Sequence, residues 1–122
     1  LILLNDKVLC NNKFPDGTSS FRVGADFNKD DVINILWNYE SDEEMPVLYY
    51  TVRHLKSYGF KLDLIMPYIP NARMDRVKNN DEIFTLKYFS DFINDLGFEN
   101  VFVRDPHSNV SCALIKNIRV DN

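Results

Sequence analysis

Cysteine is scarce in this chain: Cys10 and Cys112, near opposite ends, are the only two. That number and spacing give neither a disulfide framework nor a metal-ligand pattern, and fit reduced thiols in a cytoplasmic protein. Glycine is scarce too, with four residues (Gly17, Gly24, Gly59, Gly97) that fall where predicted elements end. No repeat or low-complexity tract is present. No apolar run approaches the roughly 18–20 residues needed to cross a bilayer. The opening Leu1-Ile2-Leu3-Leu4 is too short for a secretory core and has no basic segment before it. Basic charge is in deficit: 14 Lys and Arg against 18 Asp and Glu leave a net charge of −4. Such a balance argues against duplex nucleic acid or an anionic membrane as partner, since both require a basic field. It leaves room for a small anionic ligand held by a few donors.

What is present reads as one globular domain. The length is 122 residues, 45% of them hydrophobic and 26% charged, which excludes disorder. Leu1 to Leu4 reads as a strand that Val8-Leu9 continues after a turn at Asn5-Asp6. Asn11 to Gly17 is rich in turn residues, and Ser19 to Val23 alternates as a strand does. Asp31 to Trp37 is a short apolar strand. Ser41 with Glu44 forms a capping-box pattern, followed by Val47, Leu48, Thr51, Val52 and Leu55 at helical spacing, and Gly59 stops the helix. Leu62 to Met66 is a strand running into Pro67 and Pro70. A second helix is predicted over Glu82 to Leu96, with Ile83, Leu86, Phe89, Phe92, Ile93 and Leu96 along one stripe. Asn100 to Arg104 is a strand, and Val110 to Ile115 a helical turn.

Alternation of helix and strand in the second half predicts an α/β fold with a doubly wound, mostly parallel sheet, preceded by an antiparallel, hairpin-like portion. Ligands of such sheets bind outside the carboxyl ends of the strands. Two polar segments fall there. In Pro67-Tyr68-Ile69-Pro70-Asn71-Ala72-Arg73-Met74-Asp75-Arg76, two guanidinium groups close together suit a polyphosphate. A solvated loop with the arginines paired to Asp75, Asp81 and Glu82 accounts for them equally simply. In Arg104-Asp105-Pro106-His107-Ser108-Asn109, a carboxylate and an imidazole two residues apart suit a metal or a phosphate. The plainer alternative is an Asp capping the next helix and a His bonded to its own loop. His54, mid-helix beside Arg53, reads as solvent-facing. A third segment, Phe14-Pro15-Asp16-Gly17-Thr18, reads first as a turn between strands.

Together, these three segments resemble one family. They are similar, in order and rough spacing, to the F-S-D/N-G-E, P-Y-A-R-Q-D-R and D-L-H-A patterns in the N-terminal half of ribose-phosphate pyrophosphokinase (PRPP synthetase), and the resemblance covers nearly the whole chain. It implies a type I phosphoribosyltransferase-like fold. It also implies a Mg²⁺-dependent transfer of diphosphate from ATP to ribose 5-phosphate, giving PRPP and AMP. On that resemblance Phe14 stacks on adenine, and Asp16, with Gly17 and Thr18, contacts its edge. Arg73 and the neighbouring Met74 hold the nucleotide, and His107 with Asp105 places the Mg-triphosphate. In the family the Phe14 segment comes from a neighbouring subunit, which implies a homo-oligomer.

The sequence departs from the family at Thr18 (Glu in the family), Met74 (Gln) and Pro106 (Leu), and at Val77 and Lys78. No acidic ribose-phosphate run such as D-D-x-x-D-T occurs. The expectation is therefore that residues 1–122 are the ATP-side domain of a longer cytoplasmic transferase whose other catalytic domain lies elsewhere. By itself the segment is expected to be inactive. A non-catalytic regulatory or binding subunit on the same fold is the alternative.

Overall fold

In the computed structural model, residues 1–8, 10–22, 27–28, 30–70, 83–105 and 114–120 are described. The chain runs β1 (Ile2–Leu4), β2 (Lys7–Val8), β3 (Cys10–Lys13), β4 (Ser19–Arg22), β5 (Ile33–Trp37), α1 (Glu44–Ser57), β6 (Leu62–Tyr68), α2 (Thr85–Leu96), β7 (Asn100–Asp105) and β8 (Ile118–Val120). Six strands form one sheet in the order β2-β1-β5-β6-β7-β8, and β3 pairs with β4 in a separate ribbon. β1 lies antiparallel to β2 and to β5, whereas β5, β6, β7 and β8 are successively parallel. The expected mostly parallel α/β sheet behind an antiparallel N-terminal portion is the one observed, and among the described residues its parallel strands are added in one direction, which puts the crossovers on one face where double winding would use both.

The β1–β2 connection shows how local chemistry sets register. Asn5 and Asp6 both take positive φ, 46° and 69°. A two-residue hairpin whose twist matches its strands needs that geometry, and Asn and Asp tolerate it best after Gly. Asn5 also joins the next strand: its N–H donates to the Asn34 carbonyl at 2.9 Å, and its Oδ1 accepts from the Asn34 N–H at 2.8 Å.

Alternation along β5 and β6 sends Ile33, Ile35 and Trp37, and Leu62, Leu64 and Met66, into the core. Val47, Leu48, Val52 and Leu55 of α1 and Leu86, Phe89, Ile93 and Leu96 of α2 cover them. Every parallel step moves to the next strand on the same side. Right-handed crossovers then carry α1, α2 and the β7–β8 connection to one face. Contacts agree with this: Asn94 of α2 donates to the Leu114 carbonyl and accepts from the Lys116 N–H, each at 2.8 Å. Lys56 of α1 donates to the carbonyls of Leu96 (3.1 Å) and Gly97 (2.7 Å) at the end of α2.

Several boundaries differ from the sequence reading. α1 begins at Glu44, with Glu43 as its cap residue and no side-chain cap bond, so Ser41 does not close the capping box. Half of that pattern survives: Glu44 Oε1 accepts from the N–H groups of Glu40 (2.7 Å) and Ser41 (3.4 Å). α2 begins at Thr85, and Ile83 is 68% exposed rather than part of the buried stripe. β6 continues through Pro67 to Tyr68. The ladder to β5 has ended at Ile65 by then, so the missing proline N–H breaks no bond on that side. Asn11, Asn12 and Lys13, read as part of a turn-rich stretch, belong to the strand Cys10–Lys13, and β8 was not anticipated. Of the predicted turn over 110–115, residues 110–113 lie outside the described residues, and Leu114 is helical.

Candidate functional site at the carboxyl ends of the strands

Three loops leave the carboxyl edge of the parallel strands, after Trp37, Tyr68 and Asp105. In the β6–β7 register Tyr68 stands opposite Asp105. The segments that carry Arg73 and His107 therefore depart from adjacent strand tips, five positions past Tyr68 and two past Asp105. Asp105 is the last residue of β7. Its side chain, and Arg73, Met74 and His107, lie outside the described residues.

The exit of β5 is built as an aromatic and acidic network that the sequence reading did not single out. Trp37 is fully buried and packs on Tyr39 (ring centroids 5.5 Å) and Phe89 of α2 (5.7 Å). Its indole N–H donates to Glu44 Oε1 at 3.3 Å. Tyr39 donates its hydroxyl to Asp42, and its carbonyl accepts the Tyr68 hydroxyl at 2.9 Å. That last bond ties the β5 loop to the β6 tip just where the backbone ladder between them has stopped. Burial, together with the Asp42 acceptor, pushes the Tyr39 hydroxyl up to about 12. Burial raises the Glu44 carboxyl, but hydrogen bonds from the Leu1 amino group, Glu40, Trp37 and Ser41 outweigh it and leave the group below its ordinary value. The signal was legible. Asn38 to Glu43 follows a strand just as the other two loops do, but its Ser-x-x-Glu pattern drew attention to capping instead.

Phe14, Asp16, Gly17 and Thr18 share one structure, the tip of the β3–β4 ribbon. Phe14 N–H donates to the Thr18 carbonyl at 2.8 Å and Gly17 N–H to the Phe14 carbonyl at 2.8 Å. Gly17 sits at φ +89°. Thr18 donates to Asp16 Oδ1 twice, through its hydroxyl (2.7 Å) and its N–H (3.0 Å). Those two bonds, the hydroxyl first, hold the Asp16 carboxyl below the usual carboxylate range. Phe14 is 55% exposed, so its ring is open to solvent at the ribbon tip. His54 is exposed as expected, edge-on to Tyr58.

No protein-family model matches the sequence. A ribose-phosphate pyrophosphokinase from Saccharolobus solfataricus is 27% identical over 108 residues, covering 87% of this chain and 37% of that protein. Another from Methanobrevibacter smithii is 27% identical over 115 residues, covering 91% and 38%. The phosphoribosylpyrophosphate synthetase of Mycobacterium smegmatis superposes with a TM-score of 0.72 at 17% identity, covering 93% of this chain and 39% of that one. The chain resembles the ribose-phosphate pyrophosphokinases. It spans under two fifths of the length of the pyrophosphokinases it matches. The structural likeness establishes the fold, type I phosphoribosyltransferase-like, in agreement with the sequence reading. Among the described residues no helix is long and apolar enough to cross a membrane.

Proposed function

We propose that this chain is the ATP-side domain of a cytoplasmic ribose-phosphate pyrophosphokinase, acting as a homo-oligomer and completed by residues outside the segment. The reading rests on one observation above all: the Arg73 and His107 segments leave neighbouring strand tips, held in register by Tyr68 and Asp105. In the reaction the anomeric hydroxyl oxygen of ribose 5-phosphate attacks the β-phosphorus of ATP. The bond from that phosphorus to the α–β bridging oxygen breaks, the oxygen leaves on AMP, and the hydroxyl proton passes to solvent or a base. Such a displacement needs neutralised charge and alignment more than a covalent nucleophile. The Arg73 guanidinium binds the phosphates, with Met74 beside it, and His107 orients the triphosphate.

A carboxylate, with phosphate oxygens completing a hard oxygen set, suits a magnesium ion that arrives on the nucleotide, and the imidazole beside it adds a nitrogen donor. Asp105 and His107 would hold it, and when bound it neutralises phosphate charge. Phe14, Asp16, Gly17 and Thr18 form the adenine contact, reaching a neighbouring subunit's site from the ribbon tip.

Calorimetric titration of Mg-ATP tests the reading. The chain is expected to bind, and Arg73→Ala and His107→Ala each to weaken binding about tenfold or more, which corresponds to about 1.4 kcal/mol. Equal affinity in all three proteins overturns it. The Thr18 hydroxyl engages the Asp16 carboxylate that would otherwise face the base, and this favours a regulatory subunit as the second reading. An assay of the parent protein separates the two: AMP formed from ATP and ribose 5-phosphate means enzyme, and none means regulator.

A further inference from the structure

Pro67 brings no N–H to the sheet, and a strand that meets a proline loses a ladder bond on one side. The ladder from β6 to β5 stops at Ile65. Toward β7 the register steps over the proline, from Met66–Val103 to Tyr68–Asp105. Backbone pairing thus steadies the β6 tip on its β7 side. Among the described residues, the side facing β5 has no backbone pairing beyond Ile65.

The Tyr68 hydroxyl bridges that gap by donating to the Tyr39 carbonyl at 2.9 Å. Its acceptor is anchored. The Tyr39 ring packs on Trp37 (5.5 Å between centroids) and stands edge-on to Phe89 of α2 (6.4 Å), while the buried Trp37 lies 5.7 Å from the same Phe89. Asp42 engages the Tyr39 hydroxyl in turn. A line of contacts therefore runs from the core, through Trp37 and Tyr39, to the end of β6. Tyr68 is 37% exposed, and an exposed hydroxyl finds water as readily as a carbonyl. Fixing it costs side-chain freedom for little net stability. What the bond adds is direction.

Direction matters because little chain separates the tip from Arg73. Ile69 and Pro70 are buried directly after Tyr68. Arg73 comes three positions later, and three residues of chain span at most about 11 Å. Its point of departure, rather than a long linker, sets its range. Contacts to phosphate that depend on alignment lose strength when their base shifts by an ångström.

We propose that Tyr68 is a positioning residue of the nucleotide site: its hydroxyl holds the β6 tip on the Tyr39 carbonyl, so that the Arg73 segment leaves the sheet in one direction. The role rests on the nucleotide reading and adds to it a residue that acts through Arg73 rather than on the phosphates. It also gives the aromatic cluster at the β5 exit a part in the site, as the fixed point to which the neighbouring strand is tied.

A double-mutant cycle read by calorimetric titration of Mg-ATP tests it, using the 122-residue chain, Tyr68→Phe, Arg73→Ala and the two combined. Tyr68→Phe keeps the ring and removes the bond. It is expected to weaken binding about three- to tenfold, the worth of one hydrogen bond. In the Arg73→Ala background it should have no further effect, since nothing is left to position. Hydrogen exchange without nucleotide gives a second readout: amides over 66–70 should exchange faster in Tyr68→Phe, while those of β5 and β7 keep their rates. Unchanged affinity, an equal loss in the Arg73→Ala background, or unchanged exchange over 66–70 overturns the proposal. Arg73→Ala alone separates the two claims. Weaker binding there with none in Tyr68→Phe removes the positioning role and keeps the nucleotide reading, whereas full binding by Arg73→Ala removes both.

Discussion

Tyr39 donates to Asp42 from a half-buried site, and that one residue makes the protein's alkaline behaviour readable. Its hydroxyl is raised to about 12, against about 10 in an unfolded chain. The folded state therefore keeps the proton that the unfolded state loses. This contribution to stability is complete below pH ~10 and declines as pH rises toward ~12. A spectrophotometric titration should show a late tyrosine ionisation, and Tyr39→Phe should remove that late step. Acid acts on Glu44 in the opposite sense. Its lowered folded value means that its contribution is present above the unfolded carboxyl range and is lost as pH falls through the folded value. Glu44→Gln should flatten the acid side of a stability–pH curve. At the ribbon tip, Gly17→Ala meets open space but must hold φ +89°, so a cost of about 1–2 kcal/mol is expected in chemical denaturation.

Two buried hydroxyls on neighbouring helices behave differently because only one has a partner. Thr51 Oγ1 donates to the Val47 carbonyl at 2.8 Å, whereas Ser90 Oγ, buried on α2, has no partner among the described residues. Ser90→Ala should therefore raise stability by about 0.5–1 kcal/mol, while Thr51→Ala lowers it by about 1–2 kcal/mol, both read from denaturant midpoints. A packing control is Leu64→Ala in the central strand, fully buried, with an expected loss of about 2–5 kcal/mol. At this scale the sequence was informative wherever periodicity ran long. All five positions picked for α1, from Val47 to Leu55, are buried on one stripe. It was less informative at ends. Ile83 continues the α2 spacing yet lies outside the helix, because an apolar pattern does not show where backbone bonding starts. β8 has three residues, two of them exposed, and exists through pairing with β7, a partner that no local window contains.

For the molecule as a whole, strand order placed the loops but not the side chains within them. The alternation of elements was enough to pick the polar segments after β6 and β7, and the register sets those exits side by side. The β5 network of Trp37, Tyr39, Asp42 and Tyr68 was not legible because its long link joins residues 29 positions apart, and no spacing rule connects them. The ribbon of β3 and β4 has the longest reach in its consequences. Among the described residues it forms no ladder with the six-stranded sheet, and two strands alone are marginal in water. Amide hydrogens across Cys10–Arg22 should exchange with solvent far sooner than those of β6, as mass spectrometry would register. If the tip is gripped as proposed, its occupant would slow that exchange, and the ribbon would then register its own occupancy.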